Sequence, residues 1–215
     1  MPLTAGQINN AGANYHAFAD VTTLVQAGGN GTYFVADVKA SEATGRYAGW
    51  SLVVVYTNPA EQFRNLTVFD GYAQVNTRNP RDININISGF LTPAFGTVGA
   101  TVGFVAYEGD LGIRGDRVLF EGTELGNATN PTTNSPNSSI SYLGTSFTAK
   151  TPNYLNQLGY DSDTFNADAF LPNNATSATL QMRTTGDWYY LGVITTAINI
   201  LGLYHLSIVL RWYSP

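Results

Sequence analysis

The sequence predicts an all-β protein, an antiparallel jelly-roll-like β-sandwich with one or two very short helices. Three observations predict it. Apolar, β-branched runs of five to nine residues recur between breaks rich in Gly, Asn, Pro and Asp, the spacing of many short strands. The run Asp82-Ile83-Asn84-Ile85-Asn86-Ile87-Ser88 alternates strictly, setting its isoleucines on one face and polar side chains on the other, as a half-buried antiparallel strand requires. Helix signals are confined to two short stretches.

Taken in order, the apolar runs predict strands at 33–38, 51–56, 66–75, 83–87, 97–107, 118–120, 139–143, 176–183, 189–198 and 203–212. Asp20 is a suitable N-cap for a helix over 21–26 that Gly28 and Gly29 stop, and Pro152 opens a second over 153–158 that Gly159 closes. The stretch 126–139, rich in Asn, Thr, Ser and Pro, reads as the longest loop, because these side chains satisfy backbone groups locally. No linker divides the chain and no repeat recurs, so 1–200 reads as a single sandwich domain and 201–215 as a strand-like tail.

Composition narrows the function. Hydrophobic residues make up 44% of the 215-residue chain and charged residues 12%, enough to bury a core and a sparingly charged surface suited to the cell exterior. Fifteen acids against ten bases give a net charge of −5. With no Lys/Arg cluster, the electrostatic term that drives nucleic-acid binding is missing. The absence of cysteine excludes thiolate nucleophiles, Cys-ligated zinc and disulfides. The start, Met-Pro-Leu-Thr-Ala-Gly-Gln, lacks the basic and apolar regions of a signal peptide, so an export signal is expected outside this chain. Residues 188–210 carry no formal charge, but Gly192, Asn199, Gly202 and His205 interrupt them; two strands are expected there and no transmembrane span.

The segments Tyr47-Ala48-Gly49-Trp50-Ser51-Leu52-Val53-Val54-Val55-Tyr56 and Arg64-Asn65-Leu66-Thr67-Val68-Phe69-Asp70-Gly71-Tyr72 are followed by three more. These are Gly103–Asp110 with Gly115-Asp116, then Asn153–Asp161, then Ala175–Leu180. In wording and order they resemble a domain of unassigned function from very large secreted surface proteins of bacteria and archaea, adhesin-like and placed upstream of immunoglobulin-like repeat modules. The likeness spans 15–198. It implies an extracellular sandwich at the cell surface and supplies no catalytic residue to carry over. Family members have further strands ahead of Phe18-Ala19-Asp20-Val21-Thr22 that are absent here. A sandwich short of a strand exposes unpaired backbone groups, so 203–212 is expected to fill the gap, within its own chain or in a neighbour.

Calcium is the ligand the acidic stretches suggest. Asp161, Asp163, Asn166 and Asp168 crowd oxygen donors into eight residues, as a hard cation requires. The Gly-rich turn from Glu108 through Asp110 to Asp116 offers a second set, unless Arg114 neutralises it instead. The alternative for both is Asx-turn capping. A carboxylate pair drawn from Glu108, Asp110, Asp116, Glu121 and Glu124 would suit a hydrolase. With only His16 and His205, and no nucleophile elbow, a serine triad or a His-rich zinc centre has little support. Trp188, Tyr189 and Tyr190 form an aromatic group able to stack on glycans or anchor an interface. The expected function is a non-catalytic structural or adhesive module, stabilised by calcium, whose partners are other surface proteins, copies of itself or glycans. The rival expectations are a calcium-dependent carbohydrate-binding module and a metal-dependent hydrolase.

Overall fold

The computed structural model describes residues 3–11, 13–78 and 81–201. The elements run β1 (Gln7–Ala11), β2 (Asn14–Phe18), α1 (Thr22–Gly28), β3 (Arg64–Asn76), β4 (Asp82–Ser88), β5 (Ala100–Tyr107), β6 (Arg117–Phe120), β7 (Thr123–Glu124), β8 (Ile140–Tyr142), β9 (Thr145–Ser146), β10 (Tyr160–Asn166), β11 (Ser177–Arg183) and β12 (Trp188–Asn199). They form a six-stranded sheet, β3-β12-β5-β10-β8-β9, a four-stranded sheet, β4-β11-β6-β7, and a separate β1-β2 hairpin. All pairings are antiparallel except β10 with β8. This is the predicted all-β sandwich with one short helix.

Alternation builds the core. Phe69 and Val75 of β3, Val102, Phe104 and Ala106 of β5, Phe165 of β10, and Leu191, Ile194 and Ile198 of β12 form one wall. Ile85 and Ile87 of β4, Val118 and Phe120 of β6, and Ala178, Leu180 and Met182 of β11 face them. Phe104 and Phe165 stack with ring centroids 5.5 Å apart. Each large side chain moved out of water contributes about 1.5–3 kcal/mol, which makes this layer the main source of stability.

The outer face of the six-stranded sheet is aromatic. At Gly192 the pairing of β12 shifts register, and a Cβ there would lie 3.1 Å from the ring of His16. The bulge therefore leaves room for the hairpin to seat His16, which stacks on Tyr72 and meets Tyr107 edge-on, with Nδ1 3.5 Å from Asp70. Burial lowers the His16 pKa while Asp70 opposes the shift.

The expected strands 33–38 and 51–56 are not strands in the structure. Tyr47 packs on Tyr107 and Tyr190, Gly49 lies flat on the Tyr160 ring, and Tyr160 Oη donates to the Trp50 carbonyl at 3.0 Å. From there the chain runs outward, and Leu52, Val53, Val54, Val55 and Tyr56 are exposed. A strand needs a ladder partner as well as propensity, and no described segment pairs with this run. The expected helix over 153–158 is likewise absent. The Gln157 N–H is taken by the Ser138 carbonyl, the Leu158 N–H by the Asn156 side chain and the Gly159 N–H by Ser138 Oγ, leaving none for an i−4 ladder. The helix expected over 21–26 is present as α1, but its N-cap is Val21 rather than Asp20, which stands one residue earlier and accepts the Thr22 N–H through Oδ1 at 2.9 Å. The expected strand 203–212, like all of the expected tail beyond Leu201, lies outside the described residues.

Candidate functional site

Two groups of carboxylates sit side by side between the sheets, where the core turns from apolar to polar. The first is built on the turn after β5. Glu108 adopts a left-handed φ of +76°, and its N–H donates to the Gly159 carbonyl. Gly109 follows because a Cβ there would lie 2.4 Å from Asp161 Oδ2 and 2.8 Å from the Pro136 carbonyl oxygen. The Asp110 carbonyl accepts from Asn134 Nδ2 at 2.8 Å. Gly115 donates to the Thr133 carbonyl and accepts from the Thr185 N–H, which draws the link between β11 and β12 against the turn. Asp116 accepts from the Thr184 hydroxyl through Oδ1, and Asp187 enters from the same link.

One side-chain oxygen each of Glu108, Asp110 and Asp187 lies within 4.8 Å of the other two. Asp116, 1% exposed, lies close enough to Asp187 for that carboxyl to help raise its pKa. Glu108 Oε2, Asp116 Oδ2 and Asp187 Oδ1 are buried and have no donor, and Asn134 Oδ1 lacks one too. Burial first, then Asp187, Asp110 and Asp116, pushes the Glu108 pKa up to about 8. Burial raises Asp116 to about 7 against the pull of its Thr184 hydrogen bond, and raises Asp187, with Asp110 adding to the shift. Among the described residues the ion pairs are His16–Asp70, Arg64–Glu61, Arg117–Glu124 and Arg183–Asp82, so Arg114 does not neutralise this group.

The second group lies on a strand where a loop is expected. Asp161 to Asn166 is part of β10, paired with β5 along its length. Alternation sends Asp161, Asp163 and Phe165 inward, and the two carboxylates, 0% and 2% exposed, are buried. Asp161 Oδ1 accepts the N–H groups of Asn137 and Ser139 at 2.7 and 3.0 Å. Asp163 Oδ1 accepts the hydroxyls of Ser139 and Ser141. Asn130 ties the set together, donating to Ser139 Oγ, Asn137 Oδ1 and the Ser135 carbonyl. The Asn- and Ser-rich stretch expected as a loop is a loop, but Asn130 and the run from Asn134 to Ser139 are buried and line a polar section of the interior. Asn166 and Asp168 stand apart from it: Asp168 accepts the Ala100 N–H and the Asn166 amide, closing the turn after β10.

Burial raises Asp163 to about 7 and Asp161 well above the carboxylate range, each against hydrogen bonds that favour the charged form. An acid whose folded pKa exceeds its unfolded value of about 3.9 gives its full stability below the unfolded value and loses it as pH rises through the folded one. In chelator, the wild type is therefore expected to lose on the order of a few kcal/mol between about pH 4 and 7 relative to Asp163→Asn. Parallel urea titrations of the two proteins would show it, and superimposable pH profiles would refute it.

The other candidate residues fall elsewhere. Glu121 accepts the Thr179 N–H, and Glu124 pairs with Arg117. Of the aromatic trio, Tyr189 is fully buried with its hydroxyl on the Arg117 carbonyl. Tyr190 is buried, stacked on Tyr72 and bonded to Gln74, and only Trp188, 49% exposed, is open to a ligand. Asp187 is the residue that the sequence does not single out, although Gly186-Asp187 repeats the Gly-Asp pairs of 109–110 and 115–116.

No protein-family model and no curated protein matches the chain. Among solved structures, dimeric latent PorU from Porphyromonas gingivalis is similar over 68% of this chain and 14% of its own, with a TM-score of 0.36 and 16% identity. That degree of likeness leaves the family unassigned. No helix among the described residues is long and apolar enough to cross a membrane.

Proposed function

We propose that the chain is a non-catalytic structural module of an exported surface protein, which assembles with a second copy of itself through the apolar run 50–56. The observation that carries this reading is the exposure of Trp50 and of every residue from Leu52 to Tyr56. It is a β-branched run with strand propensity and no strand beside it. The same molecule offers what the run lacks, since β3 and β4 each stand at a sheet edge among the described residues, and an edge strand is a template for another chain. A run on one copy and an edge on the next make a heterologous contact. The likeness of 47–56 and 64–72 to the surface-protein domain supports an extracellular setting.

Light scattering on the full chain at rising concentration is expected to show mass growing beyond the monomer. Val53→Lys with Val55→Lys should return it to the monomer without changing the β-type circular-dichroism spectrum, since both side chains are exposed. A wild type that stays monomeric at all concentrations would reject this mode of assembly. Binding on a glycan array that Trp188→Ala removes would favour the carbohydrate-binding reading instead.

A further inference from the structure

We propose that Glu108, Asp110 and Asp187, backed by the buried carboxylate of Asp116, form a calcium site that fastens the turn after β5 to the link between β11 and β12. The site does not depend on assembly through 50–56. Oxygens bound at 2.3–2.6 Å around one calcium ion are at most about 5 Å apart, and those of Glu108, Asp110 and Asp187 lie within 4.8 Å of one another. Acidic side chains gather on many surfaces without an ion; here a second feature sets the group apart. Asp116 is 1% exposed, its Oδ2 has no donor, and it faces the Asp187 carboxyl, whose buried Oδ1 also lacks one. Buried acceptors without donors are costly, and a cation held by Glu108, Asp110 and Asp187 would offset that cost, with the buried Asp116 carboxylate beside Asp187 adding negative charge.

The backbone around the group is built for convergence. Glu108 has a left-handed φ, and Gly115 and Gly186 touch where neither has room for a side chain. Calcium suits carboxylates from two separate loops better than magnesium does, because it tolerates irregular geometry and sheds its water more readily. Glu108, Asp110 and Asp187 are only partly buried, which leaves the ion a route in.

The test uses the full chain, stripped with chelator and titrated at pH 7.5 with calcium chloride or magnesium chloride. Calcium at about a hundred times its dissociation constant should raise the melting temperature by about 5–10 °C, with one ion bound per chain by calorimetry and a smaller response to magnesium. Asp187→Asn should weaken calcium binding at least about tenfold, while Asp163→Asn, in the neighbouring polar section, should leave it unchanged. Should Asp187→Asn fail to fold, hydrogen exchange on the wild type gives the second readout, with amides of 108–116 and 184–187 slowed by calcium. Absence of both heat and thermal shift with calcium overturns the site, and so does loss of binding in Asp163→Asn with retention in Asp187→Asn.

Discussion

Replacing Asp161 with alanine should cost about 3 kcal/mol or more, whereas asparagine should cost about 1 kcal/mol or less. The difference follows from what the carboxylate does. Its Oδ1 is the acceptor for the buried N–H groups of Asn137 and Ser139, and the Ser138 N–H also bears on it. Each buried donor left without an acceptor costs about 1–3 kcal/mol. Alanine removes the acceptor and leaves a void, so the stretch around Asn137 loses the group that organises it. Asparagine keeps an acceptor in place and removes a charge that burial already disfavours. The reverse order of stabilities in urea denaturation at pH 7.5, or equal losses for the two variants, would mean that Asp161 does not hold this loop. Because Asp161 Oδ2 lies against Gly109, alanine should also loosen the turn that carries Glu108 and Asp110, and hydrogen exchange there would report it.

How much of this is legible in the sequence depends on which force sets each element. Where side-chain alternation is the whole signal, it suffices: Asp82 to Ser88 pairs with β11 as a half-buried strand. At Asp161 to Asn166 the same alternation is present but masked, because two of the inward positions are carboxylates and only Phe165 among them is apolar. Charge in a Gly-flanked stretch suggests a loop, while the ladder with β5 and the polar wall provided by Asn130, Ser139 and Ser141 make it a strand. That wall is illegible for a related reason, since Asn and Ser suit an exposed turn and a satisfied buried network equally well. The run 51–56 misleads in the opposite sense: its propensity is clear, but pairing depends on a neighbour that local sequence does not specify. Glu108, Asp110 and Asp116 can be grouped because they are close in sequence. Asp187 cannot, because contact between the two loops is made by tertiary packing of Gly115 on Gly186.

That contact is where the largest effect of a single methyl group is expected. Gly115 has φ +132°, and a Cβ there would stand 2.4 Å from the Gly186 nitrogen and 2.9 Å from its Cα. Gly186 is no freer, since its own Cβ would meet the Arg114 carbonyl oxygen at 2.5 Å. Both obstacles are backbone, so no side-chain rotation relieves them. Gly115→Ala combines a conformation that L residues rarely adopt with a steric conflict, and should cost about 3 kcal/mol or more. Gly122→Ala is the matched comparison: its φ is +75° with nothing within 4 Å of the added carbon, so strain alone should cost about 1 kcal/mol. The surplus loss in Gly115→Ala measures the contact between the two loops. Since the conflict forces Asp116 away from Asp187, the calcium-dependent rise in melting temperature should shrink in Gly115→Ala and persist in Gly122→Ala. Equal losses of stability in the two alanine variants would show that the loops can separate freely, and then nothing would hold the four carboxylates together.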